Sequence, residues 1–415
     1  MNITWISHYF MPEIGAPSAR LFDLSRQWLK NGHRVSAITC FPNHPKGRMY
    51  PGYRFGFYAN EKLSGIDVHR TATYITPNRG FSKKLIGHVS LLPSAVTCSM
   101  FKNLRSDVMI GTSPTFFAAM AAAVEGTRRR IPFVMEVRDL WPAIFVELGV
   151  LKNRFLINTC ERLELFLYQR AAKVVTVTET FRKNLIAKGI PSEKVVTIPN
   201  GADIEYWKPD NSFPRNERDP EFRDKFIVLY VGAHGISHAL NRMIDVASRV
   251  QDHSDILFLF VGDGAEKPKL QKMAANMKLN NVSFRDPVDR EGVRRYYQLA
   301  DLCLVPLRNV PLFNAFIPSK MFEIMSMAKP MVASITGEAA DIIKRSNGGV
   351  VVMPEDCEAI TAALLDLYRS PEKRRKMGSA GRVFVSSYYN RKSLASQYMN
   401  VLEETVTGFR RGVNP

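Results

Sequence analysis

Short runs of β-branched and aromatic residues recur along the chain, separated by longer stretches with helical spacing of apolar positions. The first series comprises Ile3–Ser7, Arg34–Thr39, Val108–Gly111, Phe133–Val137, Val174–Thr178 and Val195–Ile198. The second comprises Ile227–Gly232, Leu257–Val261, Val282–Phe284, Leu302–Pro306, Met331–Ser334 and Gly349–Met353. Strands that alternate with helices predict parallel sheets, because a parallel pair needs a crossover connection and the crossover helix covers a sheet face. Two such series predict two Rossmann-like, doubly wound α/β domains, a natural division for 415 residues.

Between the series lie Pro199-Asn200-Gly201-Ala202-Asp203 and a polar stretch from Trp207 to Lys225 that contains Pro209, Pro214 and Pro220. Its composition predicts a hinge and linker over 200–225, with a first domain over 1–199 and a second over 226–390. Residues 391–415 open with an amphipathic pattern suited to a helix that packs back on the first domain. Open parallel sheets bind ligands beyond their strand C-termini, so two of them would face a central cleft.

Charge is distributed unevenly between the two halves of the chain. The net charge is +18, and residues 1–200 carry 27 Lys and Arg against 13 Asp and Glu, whereas the remainder carries 30 against 26. This asymmetry points the first domain towards polyanions: anionic headgroups, pyrophosphates or nucleic acid. A generally basic, solvated surface would look the same. The five cysteines (Cys40, Cys98, Cys160, Cys303, Cys357) form neither a metal-ligand pattern nor a disulfide framework, which suits a reducing, cytoplasmic setting. No signal-peptide pattern opens the chain, and the longest apolar run, Leu85 to Phe101, contains His88 and Pro93, so no membrane span is expected.

The strongest local pattern is Pro318-Ser319-Lys320-Met321-Phe322-Glu323, opening a helix after the strand Leu302–Pro306. Proline and serine are ordinary helix-starting residues. A helix N-terminus also attracts anions, and Lys320 adds a positive charge beside it. Glu323, one turn on, could accept hydrogen bonds from a vicinal diol such as that of a ribose. Taken alone, the segment reads first as a capped helix with one exposed Lys and one exposed Glu.

The ordered segments Val-Gly-Ala-His-Gly (231–235), Val-Gly-Asp-Gly-Ala-Glu (261–266), Ala-Asp-Leu-Cys-Leu-Val-Pro (300–306) and Pro-Ser-Lys-Met-Phe-Glu (318–323) resemble the donor half of family 4 glycosyltransferases, retaining enzymes of the GT-B fold. Asn200 to Asp203 resembles the family's hinge. Pro12 to Arg20 and Arg138 to Pro142 resemble a branch that makes O antigens, capsules and colanic acid and includes fucosamine and N-acetylglucosamine transferases. The resemblance implies a sugar-nucleotide donor and no metal or other cofactor, and no Asp-x-Asp metal motif occurs.

It also implies site residues. Glu323 matches the second glutamate of the family's Glu-seven residues-Glu motif, while the first position is Ala315. The cations that usually follow the glycine loop are replaced by Gly235-Ile236-Ser237-His238, so Lys320, with Ser319 and the helix start, is expected to neutralise the diphosphate, helped by His238. His234 and Gly235 would bring backbone amides to the donor, although their loop is also ordinary turn chemistry. Arg285 to Val288 would cradle the base, uracil by analogy, chiefly through backbone.

In the first domain, Gly15 and Ala16 would let the turn before a helix approach a diphosphate or acceptor. Glu13 and Asp139 are the candidate catalytic carboxylates, able to orient or deprotonate an acceptor hydroxyl or, equally, to cap helices or pair with Arg20 and Arg138. The family is thought to work without a protein nucleophile, the leaving diphosphate assisting front-face attack.

Arg79 to Ile86 mixes basic and apolar residues and could lie in a membrane interface or form a buried helix with a basic rim. The reading that results is transfer of an N-acetylated sugar from a UDP-sugar to a polyprenyl-diphosphate-linked acceptor, peripheral on the inner face of the cell membrane. A soluble acceptor, a sugar-nucleotide epimerase of the same shape, or a basic nucleic-acid-binding protein are the alternatives. The last lacks any base-reading motif, and no nucleic acid is expected as a partner.

Overall fold

The computed structural model describes residues 1–13, 15–44, 47–76, 81–102, 104–113, 115–140, 142–147, 149, 151–210 and 221–412. They divide into two compact units, residues 1–199 with 392–415, and residues 200–391.

The first unit is built on an eight-stranded sheet: β1 (Asn2–Ile6), β2 (Arg34–Cys40), β3 (Tyr58–Leu63), β4 (Ile66–Thr71), β5 (Val108–Thr112), β6 (Phe133–Val137), β7 (Lys173–Thr176) and β8 (Val195–Thr197). Their order is β3-β4-β2-β1-β5-β6-β7-β8. All six strands expected from the sequence are present. The sheet is not purely parallel, however, because β3 pairs antiparallel to β4. The two are joined across Ser64 and Gly65, both at positive φ, as a tight hairpin with the sheet's natural twist requires. From Ala59 to Leu63 half-buried and exposed positions alternate at a sheet edge, so β3 lacks the continuous apolar run that marks the central strands.

Trp5 and Trp28 stack at 5.6 Å in the core of this unit, and Tyr398 meets both edge-on at 6.1 and 5.5 Å. Trp28 belongs to helix Ala16–Lys30, and Tyr398 to the C-terminal helix Arg391–Arg410. Leu394, Leu402 and Val406 of that last helix join the same core, and the Trp28 indole N–H donates to the Ala395 carbonyl.

In the second unit the sheet runs β11-β10-β9-β12-β13-β14 and is parallel throughout. Its strands are β9 (Phe226–Val231), β10 (Ile256–Val261), β11 (Val282–Arg285), β12 (Leu302–Pro306), β13 (Met331–Ser334) and β14 (Gly349–Val352). The expected linker is in part core. Trp207 and Phe222 are buried against this sheet's helices, and Ser326 Oγ donates to the Trp207 carbonyl at 2.6 Å. Large aromatic side chains offer too much apolar area to leave in a loose linker. Residues 211–220 of that segment lie outside the described residues.

In each sheet one pair of neighbouring strands has its connections leaving towards opposite sides, β1 and β5 in the first and β9 and β12 in the second. Loops at such switch points diverge and leave a crevice at the strand C-termini.

Candidate functional site

The crevice of the second unit is formed by the loops after β9 and β12. Tyr230, last but one in β9, is wholly buried, and its hydroxyl donates to the Ala233 carbonyl at 2.7 Å. This fixes the aromatic face over which Lys320 lies, with Nζ 3.8 Å from the ring centroid. Gly232 makes room for the ammonium, since a Cβ there would stand 2.7 Å from Nζ. Nζ is buried and has no hydrogen-bond partner. Burial pushes the Lys320 pKa down to about 7, against the opposing pull of Glu323. A buried cation with only a ring face beside it is poised for an anion.

Lys320 begins the helix Lys320–Ser326, which Met321 and Phe322 anchor, Phe322 stacking on Tyr389 at 4.6 Å. Ser319 precedes it but does not cap it; its Oγ accepts from Asn200 Nδ2 at 3.0 Å, tying the hinge motif to the helix start. Glu323 is half-buried, one turn along, and accepts from the Tyr297 hydroxyl at 3.3 Å. Ala315 is buried at the end of the 3-10 turn Pro311–Ala315.

The structure corrects two expectations in this unit. His234 does not offer its amide to a donor: that N–H donates to the Asp263 carbonyl, its carbonyl accepts from the Glu266 N–H, and its ring is buried among Tyr230, Phe260 and Phe284. Burial, with Lys267 and Lys320 nearby, lowers its pKa to about 4. His238 supplies no charge either. Burial and the Lys320 ammonium press it to about 3, and it is bonded to the Pro306 backbone. The Arg285 guanidinium is taken by Glu221, and its carbonyl accepts from Gly262 N–H and from Lys267 Nζ.

Gly235 has open space where a side chain would project. Val288 is half-buried and packs against the core. The sequence reading also missed Lys267, whose ammonium bonds the carbonyls of Gly262 and Arg285 and the carboxylate of Asp286, sewing the ends of β10 and β11 together. Its position at the start of helix Lys267–Asn276, just after the glycine turn, was the available signal.

In the first unit the β1 exit carries His8 and Tyr9. Tyr9 contacts His44 at 4.8 Å between ring centroids, and His8 contacts His88 at 4.7 Å. With Asn43, Tyr74, Thr76 and Gly87 these side chains line a small pocket that sequence reasoning did not find. Two of its histidines follow strand ends, which was the usable signal.

Glu13 lies behind this pocket rather than in it. It is 1% exposed, and its Oε1 accepts the backbone N–H groups of Asn43 and His44 at 2.8 and 2.9 Å. Burial lifts its pKa to about 7 in spite of these bonds and the Arg70 charge. It braces the loop that carries His44. Arg20 pairs with Glu136 at 3.1 Å, not with Glu13.

Asp139 is half-buried after β6, and its N–H donates to Ser113 Oγ at 3.3 Å. Burial raises its pKa to about 6, partly offset by Arg138. Burial raises the Tyr9 pKa, and the charges of Glu13, Cys40 and Asp139 add to the rise, so the two carboxyls share one phenol as a neighbour. Gly15 and Ala16 are exposed at the uncapped start of helix Ala16–Lys30. Ile14 and Trp141 of the two flanking motifs lie outside the described residues, as do Arg79 and Gly80 of the basic-apolar segment. Among the described residues no group of three or more potential ligands could hold a metal ion, and no helix is long and apolar enough to cross a membrane.

Residues 15–201 match the family model of a glycosyl transferase 4-like domain, and residues 213–384 that of the group 1 glycosyl transferases. The chain is 26% identical over 396 residues to Escherichia coli WcaI, named as a colanic acid biosynthesis glycosyl transferase, covering 90% of this chain and 93% of that one. It is 27% identical over 203 residues to Bacillus subtilis TuaH, named for teichuronic acid biosynthesis, covering 48% and 50% of the two chains. Among solved structures, sucrose-phosphate synthase of Thermosynechococcus elongatus superposes with a TM-score of 0.75 at 17% identity, covering 98% and 99% of the two chains. Anabaena HepE in complex with UDP-glucose superposes with a TM-score of 0.73 at 17% identity, covering 97% and 100%.

Proposed function

Because the chain belongs to the family 4 glycosyltransferases of the GT-B fold, we propose that it moves an N-acetylated sugar from a UDP-sugar to a polyprenyl-diphosphate-linked acceptor in surface polysaccharide synthesis. The pathway assignment draws on the names of WcaI and TuaH, and the uridine on the sugar nucleotide bound by HepE. The setting is the inner, anionic face of the cell membrane, with the chain bound peripherally.

The observation that carries the reading is the unpaired, buried Lys320 ammonium in the β9–β12 crevice, over Tyr230 and beside Gly232. A donor diphosphate would give that cation its partner. Glu323 would then accept from the ribose diol, Ser319 would hold the helix start in place, and the Arg285–Val288 backbone would face the base. Binding the diphosphate also stabilises it as a leaving group, since charge develops there as the glycosidic bond breaks. In the first unit, Asp139 with its raised pKa could accept the acceptor hydroxyl's proton near neutral pH. Retention of the anomeric configuration would follow from attack on the face the diphosphate leaves.

A donor panel scored by thermal shift tests the reading, because a ligand that binds only the folded state raises its stability. UDP-N-acetylglucosamine should raise the unfolding midpoint more than UDP-glucose or GDP-mannose, and Lys320→Ala should abolish the rise. An unchanged donor affinity and turnover in Lys320→Ala would sink the proposal. Release of UDP only when a lipid-linked acceptor is present would separate this activity from a soluble-acceptor transferase and from an epimerase.

A further inference from the structure

Helix Phe81–Lys102 is 22 residues long, roughly 33 Å at the α-helical rise, and it is apolar on both sides. Its inner side is anchored by the buried Leu91, Ala95 and Cys98 and packs on β2, β4 and helix Phe116–Arg129. The outer side should then be polar, as on an ordinary surface helix. Instead Ile86, Val89, Pro93 and Met100 point outwards at helical spacing, followed by Phe101, which is 83% exposed. Thr97 is the one polar position in the row, and it carries no charge.

Charge supplies the second observation. Lys83 and Lys102 stand exposed towards the two ends of this stripe. No Asp or Glu occurs from Val68 to Ser106, a stretch that contains six Lys and Arg. Beside the helix's end, Lys102 Nζ lies 4.1 Å from the centre of the Tyr58 ring, and the neighbouring Phe57 is 90% exposed. Aromatic and aliphatic side chains framed by cations, without acids among them, complement an anionic bilayer interface and not an acidic protein groove.

We propose that the outward face of helix Phe81–Lys102 docks the protein on an anionic lipid bilayer, lying in the plane of the interface. The assignment rests on the membrane reading above and gives it a surface. Ile86, Val89, Met100 and Phe101 enter the acyl boundary, while Lys83 and Lys102 remain at headgroup level. The helix is firmly mounted for this: the Tyr74 amide donates to Ser90 Oγ at 2.9 Å, and Gly87 lies so close that a Cβ would stand 2.8 Å from the Tyr74 carbonyl oxygen. Its inward His88 lines the pocket with His8 and Tyr9. Docking would therefore hold that pocket one helix thickness from the lipid, where a lipid-linked diphosphate must emerge.

Sedimentation of the full chain with vesicles tests this without donor or acceptor. The protein should partition onto phosphatidylcholine vesicles containing phosphatidylglycerol and far less onto phosphatidylcholine alone. Ile86→Ser with Phe101→Ser should lower the partition coefficient about tenfold or more, given the apolar area withdrawn. Lys83→Glu with Lys102→Glu should remove the preference for anionic lipid, and it keeps the test standing if the serine variant unfolds. Wild-type partition by both variants would overturn the proposal. So would a protein that ignores vesicles and instead self-associates through Phe101, since a second copy would then cover the face. Vesicle binding without transfer to a lipid-linked sugar would refute the acceptor and leave the docking face intact.

Discussion

An ammonium group out of water raises the free energy of the fold unless something replaces its hydration, and at Lys320 the Tyr230 ring does so only in part. The lowered pKa, about 7 against the ordinary lysine value, has a definite sign. The folded state holds fewer protons than the unfolded state between the two pKa values, so the penalty is absent above the unfolded pKa. It grows as pH falls and is complete below about 7. Lys320→Met should therefore raise the unfolding midpoint of the ligand-free protein at neutral pH, the gain fading at alkaline pH, while UDP no longer stabilises it. Calorimetry with and without UDP across pH measures both effects, and a variant less stable than wild type at neutral pH would contradict the account. Lys320, Glu323 and Ser319 were legible in the sequence because they sit in one contiguous motif. His234 and His238 were misread because what silences them, burial and a lysine some 80 residues along, comes from other elements. Glu13 was misplaced for the same reason, its partners being the amides of a separate loop.

Loops at strand ends follow a different logic, in which backbone meets backbone. A Cβ on Gly262 would stand 2.0 Å from the Gly232 carbonyl oxygen, and one on Gly264 would stand 2.4 Å from that of His234. The glycines after β10 were legible only as turn residues, although they let their loop press on the crevice loop after β9. Gly235, by contrast, meets nothing. Gly262→Ala should cost about 3 kcal/mol of stability, since backbone cannot yield as a flexible side chain does. Gly235→Ala should change stability by less than about 0.5 kcal/mol but weaken UDP binding if the nucleotide approaches that backbone. Denaturant melts with UDP titrations check the pair, and equal losses of stability in both would refute the distinction. The twelve predicted strands were legible because central parallel strands are apolar on both faces. Strands β3 and β4 were not: the edge strand β3 shows only half that signal, and β4, though mostly buried, carries Asp67, His69 and Arg70 in its six residues.

On the scale of the whole molecule, the chain leaves its first unit at residue 199, builds the second, and returns at 392. The first unit is therefore completed only by residues from 392 onward. Leu394, Tyr398 and Leu402 are each at most 3% exposed in its core, and Tyr398 closes the Trp5–Trp28 stack. The amphipathic pattern after Arg391 was legible in the sequence. The aromatic stack was not, because its members lie almost 400 residues apart. Tyr398→Ala should cost about 3–5 kcal/mol, as for other large aromatic truncations in cores. Ending the chain at Arg391 removes all of these contacts together with the acceptor for the Trp28 indole, whereas every contact described around Lys320 lies within residues 200–391. The truncated chain should accordingly lose protease resistance across 1–199 while 200–391 still binds UDP and is protected by it. Limited proteolysis with mass mapping, run with and without UDP, reads both halves at once. Loss of UDP binding together with the first unit would show that the nucleotide site depends on more than its own sheet.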